Sequence, residues 1–518
     1  MKHVSSIDPE GLAESFRRRA FRAEQRPALS FESRTWSYAQ MQAEIEQRAN
    51  VFAALGIGRG DRIGYLGFNH PGILFALYAA ARIGAILVPL NFRLASRELQ
   101  QIIEDAEPAL LIVDAPHRPL IDAVRERLAC RHFLAADDDT ATADWQSLPA
   151  LLAAGATPVA AVDGQPDDVV LLIYTSGTTG CPKGAMLSNR NLWTNNLNWL
   201  LANDFTSHDV TLANAPLFHV GGLCVVLTPT LLAGGHVVLQ KGFDALEFIR
   251  SVERERVTVC FAVPAMMLFT SQHPAFADAD LSSLRLIVAG GAPVPEPLLR
   301  LYATRNIPVS QCYGMTEATS GVTFLETDRA LAKLGSCGRA GMLSEVRLID
   351  FDGRPITEPD VPGEICMRGG NVIQGYWRLP EVSAACVDAN GWFRSGDVAS
   401  CDAEGFYTIR DRVKDMIISG GENIYPAEIE SLLYEHPAIA EVAVIGAPDV
   451  RWGERVLVIA VLKPAQTLTL DDVLAFVDGR LARYKLPREL HLIDLMPRNP
   501  NGKVIKTELR QRFAASTR

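Results

Sequence analysis

Residues Tyr174, Thr175, Ser176, Gly177, Thr178, Thr179, Gly180, Cys181, Pro182, Lys183 and Gly184 form an unbroken run that follows directly on the apolar strand Val169–Tyr174. Its three glycines open backbone conformations closed to other residues. Four hydroxyls and the main-chain N–H groups can face the turn, and Lys183 brings a cation to its end. That is chemistry for a polyphosphate. No G-x-x-x-x-G-K-[ST] register fits, so P-loop hydrolysis is disfavoured. By composition alone such a loop is equally a solvated surface turn, and the residues downstream decide between the two. The nine cysteines are widely spaced, with Cys386 and Cys401 the nearest pair. No CxxC or zinc spacing exists, which reads as reduced thiols rather than a metal site or disulfide framework.

Four further clusters follow in order: Tyr313-Gly314-Met315-Thr316-Glu317; Ser395-Gly396-Asp397; Asp411-Arg412-Val413-Lys414-Asp415 with Ser419-Gly420-Gly421-Glu422; and Pro500-Asn501-Gly502-Lys503-Val504. With the loop, they resemble the motifs of the adenylate-forming superfamily: acyl-CoA synthetases, peptide-synthetase adenylation domains and beetle luciferases. The resemblance implies a nucleotide site made of Thr175, Ser176, Gly177, Thr178, Thr179, Gly180 and Lys183. It adds Gly291, Ala292 and Pro293 along adenine, Gln311, Cys312, Tyr313 and Gly314, and Asp397 with Arg412 on the ribose hydroxyls. It makes Thr316 an α-phosphate contact, Glu317 the Mg²⁺ ligand and Lys503 the catalytic lysine. His219, in Phe218-His219-Val220-Gly221-Gly222, is implied to orient the substrate carboxylate. The acyl pocket is then His219, Val220, Gly221, Leu223, Val263, Met266, Gly290, Gly314 and Met315, although Met266 and Met267 serve equally as core filler. Lys414 is the implied hinge, with Ser419, Gly420 and Gly421 facing coenzyme A.

Physical chemistry agrees with these roles. Joining a carboxylate to an α-phosphate gathers negative charge in the transition state, and Lys503, Mg²⁺ and the hydroxyl-rich loop would meet it. Mg²⁺ prefers hard oxygens and takes one or two carboxylates beside phosphates and waters. A ribose diol suits an Asp acceptor with a permanently charged Arg donor. The implied reaction is that of a carboxylic acid:CoA ligase, using ATP, Mg²⁺ and coenzyme A to turn a fatty or aryl acid into acyl-AMP and then acyl-CoA. Two alternatives stay open: transfer to a carrier protein or other acceptor, and an inactive nucleotide-binding regulatory homologue.

These groups need a scaffold, and 518 residues at 100 to 200 per domain supply several domains. A net charge of −10 argues against nucleic acid or anionic membrane as partner. No transmembrane span or signal peptide is expected, which places the protein in the cytoplasm. Helical stretches Tyr38–Leu55, Gly72–Ile83 and Ala95–Asp105 alternate with apolar runs Arg62–Leu66, Ala85–Val88 and Ala109–Val113, the pattern of an α/β sheet. The fold expected is α/β: a large N-terminal domain over 1–411 and a small mobile α+β domain over 412–518, hinged near 414. Within the first, α/β subdomains over about 1–160 and 161–340 pack their sheets face to face, ahead of a β-rich subdomain over 341–411. Val220–Gly235 is expected as one core helix, and Asp471–Ala482 as another.

Overall fold

The computed structural model describes residues 11–137, 142, 144–162, 164–175, 182–350, 352–420, 422–498 and 504–514. The described residues divide into two compact units. The larger lies within Met1–Val346, Cys366–Arg394 and Gly405–Tyr407, the smaller within Arg347–Ile365, Ser395–Glu404 and Thr408–Arg518.

Two sheets organise the larger unit. One has seven strands in the order Gln146–Ser147, His132–Ala135, Leu110–Val113, Arg62–Leu66, Ile86–Leu90, Val169–Thr175, Lys183–Ser188. Only its last pair is antiparallel. The other has nine strands, parallel from Pro27–Phe31 through His236–Leu239, Val210–Ala213, Val259–Ala262 and Leu286–Ala289 to Val309–Tyr313, with antiparallel edges. Parallel strands are covered on both faces, which is why these runs read as unbroken apolar stretches. The sheets do not meet face to face as expected. Every residue of helix Pro71–Ile83 except Arg82 is buried, and it shares one core with residues of both sheets. Helices therefore fill the space between them.

Three further expectations are corrected. Val220–Gly235 is two helices, Val220–Cys224 and Leu227–Ala233. Pro229 lies in the first turn of the second, where its missing N–H leaves no bond unmade, so it starts a helix rather than continuing one. The second predicted helix runs only over Leu470–Val477, because Asp478 is extended and Gly479 takes φ +69°. The strand expected to end at Val88 continues through Pro89 to Leu90.

Strands Pro355–Ile356, Ser344–Ile349, Gly363–Gly369, Phe393–Cys401 and Tyr407–Arg412 form a five-stranded sheet in that order. The C-terminal part of the smaller unit is a sheet around the long hairpin Ile439–Asp449 and Gly453–Leu462. Alternate residues feed two cores, with Val442 and Val444 against helices Pro426–Leu433 and Leu470–Val477, and Ala443 and Ile445 against Met496 and Leu509. Among the described residues no helix is long and apolar enough to cross a membrane, and the eight described cysteines are free thiols.

Candidate active site

The predicted polyphosphate loop lies between two antiparallel strands in which Thr175 pairs with Lys183 and Tyr174 with Gly184. Gly184 is closely packed there: a methyl on it would come 3.0 Å from Leu172 Cδ1 and 3.1 Å from Tyr174 Cζ. Ser176, Gly177, Thr178, Thr179 and Gly180 lie outside the described residues, as do Gly421 and Lys503. Thr316 and Glu317 open the short helical turn Thr316–Ala318 after strand Val309–Tyr313. Glu317 is buried, and its Oε1 accepts a hydrogen bond from the Tyr376 hydroxyl at 2.7 Å. Lys183 Nζ stands over the Tyr376 ring, 5.5 Å from its centre. Lys183 and Glu317 therefore share one aromatic neighbour. The sequence analysis missed Tyr376, which sits 59 residues from Glu317 with only the Gly-Tyr-Trp run Gly375–Trp377 to mark it.

The backbone beyond Glu317 is tightly turned, with Thr319 at φ +59° and Ser320 at +144°. It also closes on Gly314, where a methyl would fall 1.4 Å from Ser320 O, so only glycine fits. Buried polar groups hold this turn. Ser320 Oγ accepts from Trp199 Nε1 at 2.9 Å and donates to Asn195 Oδ1 at 2.6 Å, while Thr319 Oγ1 donates to Asn371 O at 2.7 Å. Asn195 Nδ2 in turn donates to Cys224 O at 2.8 Å, at the end of helix Val220–Cys224. Helix Asn189–Asn203 thus links the Glu317 turn to the predicted acyl pocket. Asparagine is a poor helix former, so six of them on one helix were a signal for such a polar network.

His219 is the half-buried N-cap residue of helix Val220–Cys224, its ring 4.4 Å from that of Phe218. Gly222 lets this helix start hard against Pro216, whose carbonyl oxygen would lie 2.2 Å from a methyl there. Two pocket glycines flank one ring. A methyl on Gly221 would come 3.2 Å from Phe261 Cε1, and one on Gly290 would come 3.4 Å from Phe261 Cε2 and 2.8 Å from Cys312 Sγ. Phe261, in strand Val259–Ala262, was not foreseen. Val263 and Met266 pack against the same cluster as Phe261 and Cys312. Leu223 is fully buried in the core between the sheets, Val220 is buried with it, and Met267 is buried beneath the neighbouring helices, its carbonyl taking the Tyr302 hydroxyl at 2.8 Å. Tyr313 and Met315, both half-buried, pack toward Val322 and Met367. Gly291 (φ +83°), Ala292 and Pro293 are exposed at the end of strand Leu286–Ala289, and Gln311 Oε1 accepts from Val294 N at 3.1 Å. Burial pushes the Cys312 thiol up to about 12, with Cys337 adding to it, so it stays protonated.

In the smaller unit, Asp397 and Arg412 come together, Nε to Oδ1 3.6 Å. Gly396, at φ +73°, donates to the buried Glu364 at 3.1 Å and accepts from Val413 N at 2.8 Å. Lys414 is exposed in the turn after Arg412. Asp411 closes this turn, accepting from Arg412 N through one oxygen and from Ala427 N, in the first turn of helix Pro426–Leu433, through the other, both at 2.7 Å. Ser419 pairs with Glu422 and Gly453, and Gly420 (φ +61°) donates to Trp452 O at 2.7 Å. Arg498 bridges to Val504 across the segment that contains Lys503. Beyond it, Lys506 pairs with Glu430 at 2.7 Å and Arg510 with Asp415 at 2.8 Å.

Comparisons with known proteins bear on the family of the whole chain. The family model "AMP-binding enzyme" matches residues 16–377, and "AMP-binding enzyme C-terminal domain" matches 428–503. The chain is 43% identical over 492 residues to an indoleacetate–CoA ligase of Aromatoleum aromaticum, covering 95% of this chain and 96% of that one. It is 42% identical over 481 residues to a feruloyl-CoA synthase of an Amycolatopsis species, covering 92% and 94%. Among solved structures, an o-succinylbenzoate CoA synthetase from Bacillus subtilis in complex with its acyl-adenylate intermediate superposes with a TM-score of 0.85 at 32% identity, covering 96% and 97%. On these matches and the ordered motifs that the fold carries, the chain belongs to the AMP-binding enzyme family.

Proposed function

We propose that the protein is an AMP-forming carboxylic acid:CoA ligase and that its acids are aryl acids. Full-length likeness to CoA ligases carries the first part. Likeness to a feruloyl-CoA synthase and an indoleacetate–CoA ligase supports the second, and the aryl slot is placed beside Phe261, whose ring edge closes on Gly221 and Gly290 to 3.2 and 3.4 Å of where a methyl would stand. In the first half-reaction a substrate carboxylate oxygen attacks the α-phosphorus of ATP and the bond to pyrophosphate breaks. In the second, the coenzyme A sulfur attacks the acyl carbon and AMP leaves with the bonding pair.

The chain's own groups divide the work. Thr175, Lys183 and the loop between them hold the phosphates, and Asp397 with Arg412 takes the ribose hydroxyls. Tyr313 stacks on adenine beside Gly291, Ala292 and Pro293. His219 orients the carboxylate at the pocket mouth, and Lys503 brings a cation to the bond-forming oxygens. Glu317 and Thr316 fit Mg²⁺: both offer hard oxygens, and a buried carboxylate already steadied by one hydroxyl loses little freedom on taking a metal. Bound there, Mg²⁺ would neutralise charge on the departing pyrophosphate. The reduced thiols support a cytoplasmic location. The test is AMP release with coenzyme A across a panel of acids. Turnover of arylacetic or cinnamic acids well above that of fatty acids is expected, and a preference for long fatty acids would refute the substrate class.

A further inference from the structure

We propose that Tyr376 is a positioning residue that fixes the Glu317 carboxylate for Mg²⁺ and holds it apart from Lys183. The inference rests on the reading of Glu317 as the metal's carboxylate.

The geometry is built rather than incidental. The phenol edge meets Glu317, with 2.7 Å between hydroxyl and Oε1, and the ring face meets Lys183, with Nζ 5.5 Å from its centre. Both Glu317 and Tyr376 are 7% exposed, so neither side chain moves freely.

The backbone is fixed on both sides. Tyr376 N donates to Ser383 Oγ at 2.8 Å, Trp377 N to Gly184 O at 2.7 Å, and Met186 N to Gly375 O at 3.2 Å. Ile373 N donates to Glu317 O at 2.9 Å. The segment is therefore sewn to the strand that begins at Lys183 and to the turn that carries Glu317. Opposite charges left in contact would pair, and a carboxylate engaged by an ammonium competes poorly for a metal. A ring that binds the cation on its face and the anion at its edge satisfies each without letting them meet.

Tyr376→Phe keeps the ring and removes the hydroxyl. A hydrogen bond to a charged group is worth enough to change an equilibrium about tenfold or more. The Mg²⁺ concentration for half-maximal adenylation should therefore rise about tenfold while the KM for the acid stays unchanged. Calorimetry should show Mg²⁺-dependent ATP binding weakened by the same factor and Mg²⁺-free ATP binding unaltered. Tyr376→Leu removes the face as well and should also weaken Mg²⁺-free ATP binding, because Lys183 then pairs with Glu317. Glu317→Gln is measured in parallel. If it shifts the Mg²⁺ titration and Tyr376→Phe does not, Tyr376 has no positioning role. If Glu317→Gln shifts nothing, the reading of Glu317 itself falls. Equal shifts for Mg²⁺ and acid in Tyr376→Phe, with a lowered melting temperature, would mark Tyr376 as merely structural and overturn the proposal.

Discussion

Gly290→Ala tests the aryl slot at its narrowest point. The added methyl would sit 2.8 Å from Cys312 Sγ and 3.4 Å from Phe261 Cε2. The first distance is far inside van der Waals contact, so Cys312 or the strand end must give way. Gly290 does not take a positive φ, so alanine brings no left-handed backbone strain, and the effect is one of packing. Overpacking of this kind costs about 1–3 kcal/mol. If that cost falls on a bound ring, it corresponds to a loss of roughly fivefold to 150-fold in kcat/KM. The assay is acid-dependent ATP–pyrophosphate exchange with an aryl acid and a slender short-chain acid, reporting the KM for ATP in each. The aryl acid should lose most, the short acid little, and the KM for ATP should hold. Because the closest atom is a neutral, protonated thiol, Cys312→Ala in the same chain removes the collision and should restore most of the lost activity. A double variant as impaired as Gly290→Ala alone would refute the slot, as would equal losses for both acids.

Ser320→Ala leaves the Trp199 N–H without its buried acceptor and deprives Asn195 Oδ1 of a donor. Denaturant titration should show a loss of about 1–3 kcal/mol, with adenylation slowed beyond that of a surface control such as Ser33→Ala. Lys414→Pro fixes φ near −65° and restricts Val413 at the proposed hinge. CoA-thioester formation from supplied acyl-AMP should slow far more than adenylation, and unchanged rates in both would place the hinge elsewhere. Asp209 is desolvated, which pushes its pKa up, yet bonds from Arg285, Thr206 N–H and Thr258 outweigh burial and leave it lowered. A lowered folded pKa gives stability that is full above the ordinary carboxylate range and fades as pH falls through the folded value. Asp209→Asn should therefore flatten the acid side of the stability profile below about pH 4, and an unaltered acid slope would show that Arg285 does not hold the charge.

What the sequence made legible was local. Thr175 and Lys183, Thr316 and Glu317, and Asp397 each sit in a contiguous motif whose residue order carries its chemistry. Unbroken apolar runs such as Leu110–Val113 and Leu286–Ala289 announced parallel strands. Contacts between distant segments were not legible. Tyr376 reaches Glu317 because the irregular segment around it is held by an isolated bridge to Ala185, far away in sequence, and by the bond from Ile373 N to Glu317 O. Phe261 reads as any strand aromatic until the glycines beside it are placed in space. The break between Val220–Cys224 and Leu227–Ala233 was not legible in the apolar composition, because the place of Pro229 in a first turn is a matter of helix register rather than hydrophobicity. Likewise the helix over Leu470–Val477 ends where Gly479 turns left-handed, a cap signal hidden among good helix formers.

In the proposed first half-reaction a carboxylate oxygen of the substrate forms its bond to the α-phosphorus of ATP. Supplying an aryl acid labelled with ¹⁸O in both carboxylate oxygens, with ATP, Mg²⁺ and coenzyme A, and reading the products by mass spectrometry tests it directly. The expected products are AMP carrying one labelled oxygen, unlabelled pyrophosphate and an acyl-CoA that retains the other. Label in inorganic phosphate with ADP as the nucleotide product, or AMP without label, would contradict it.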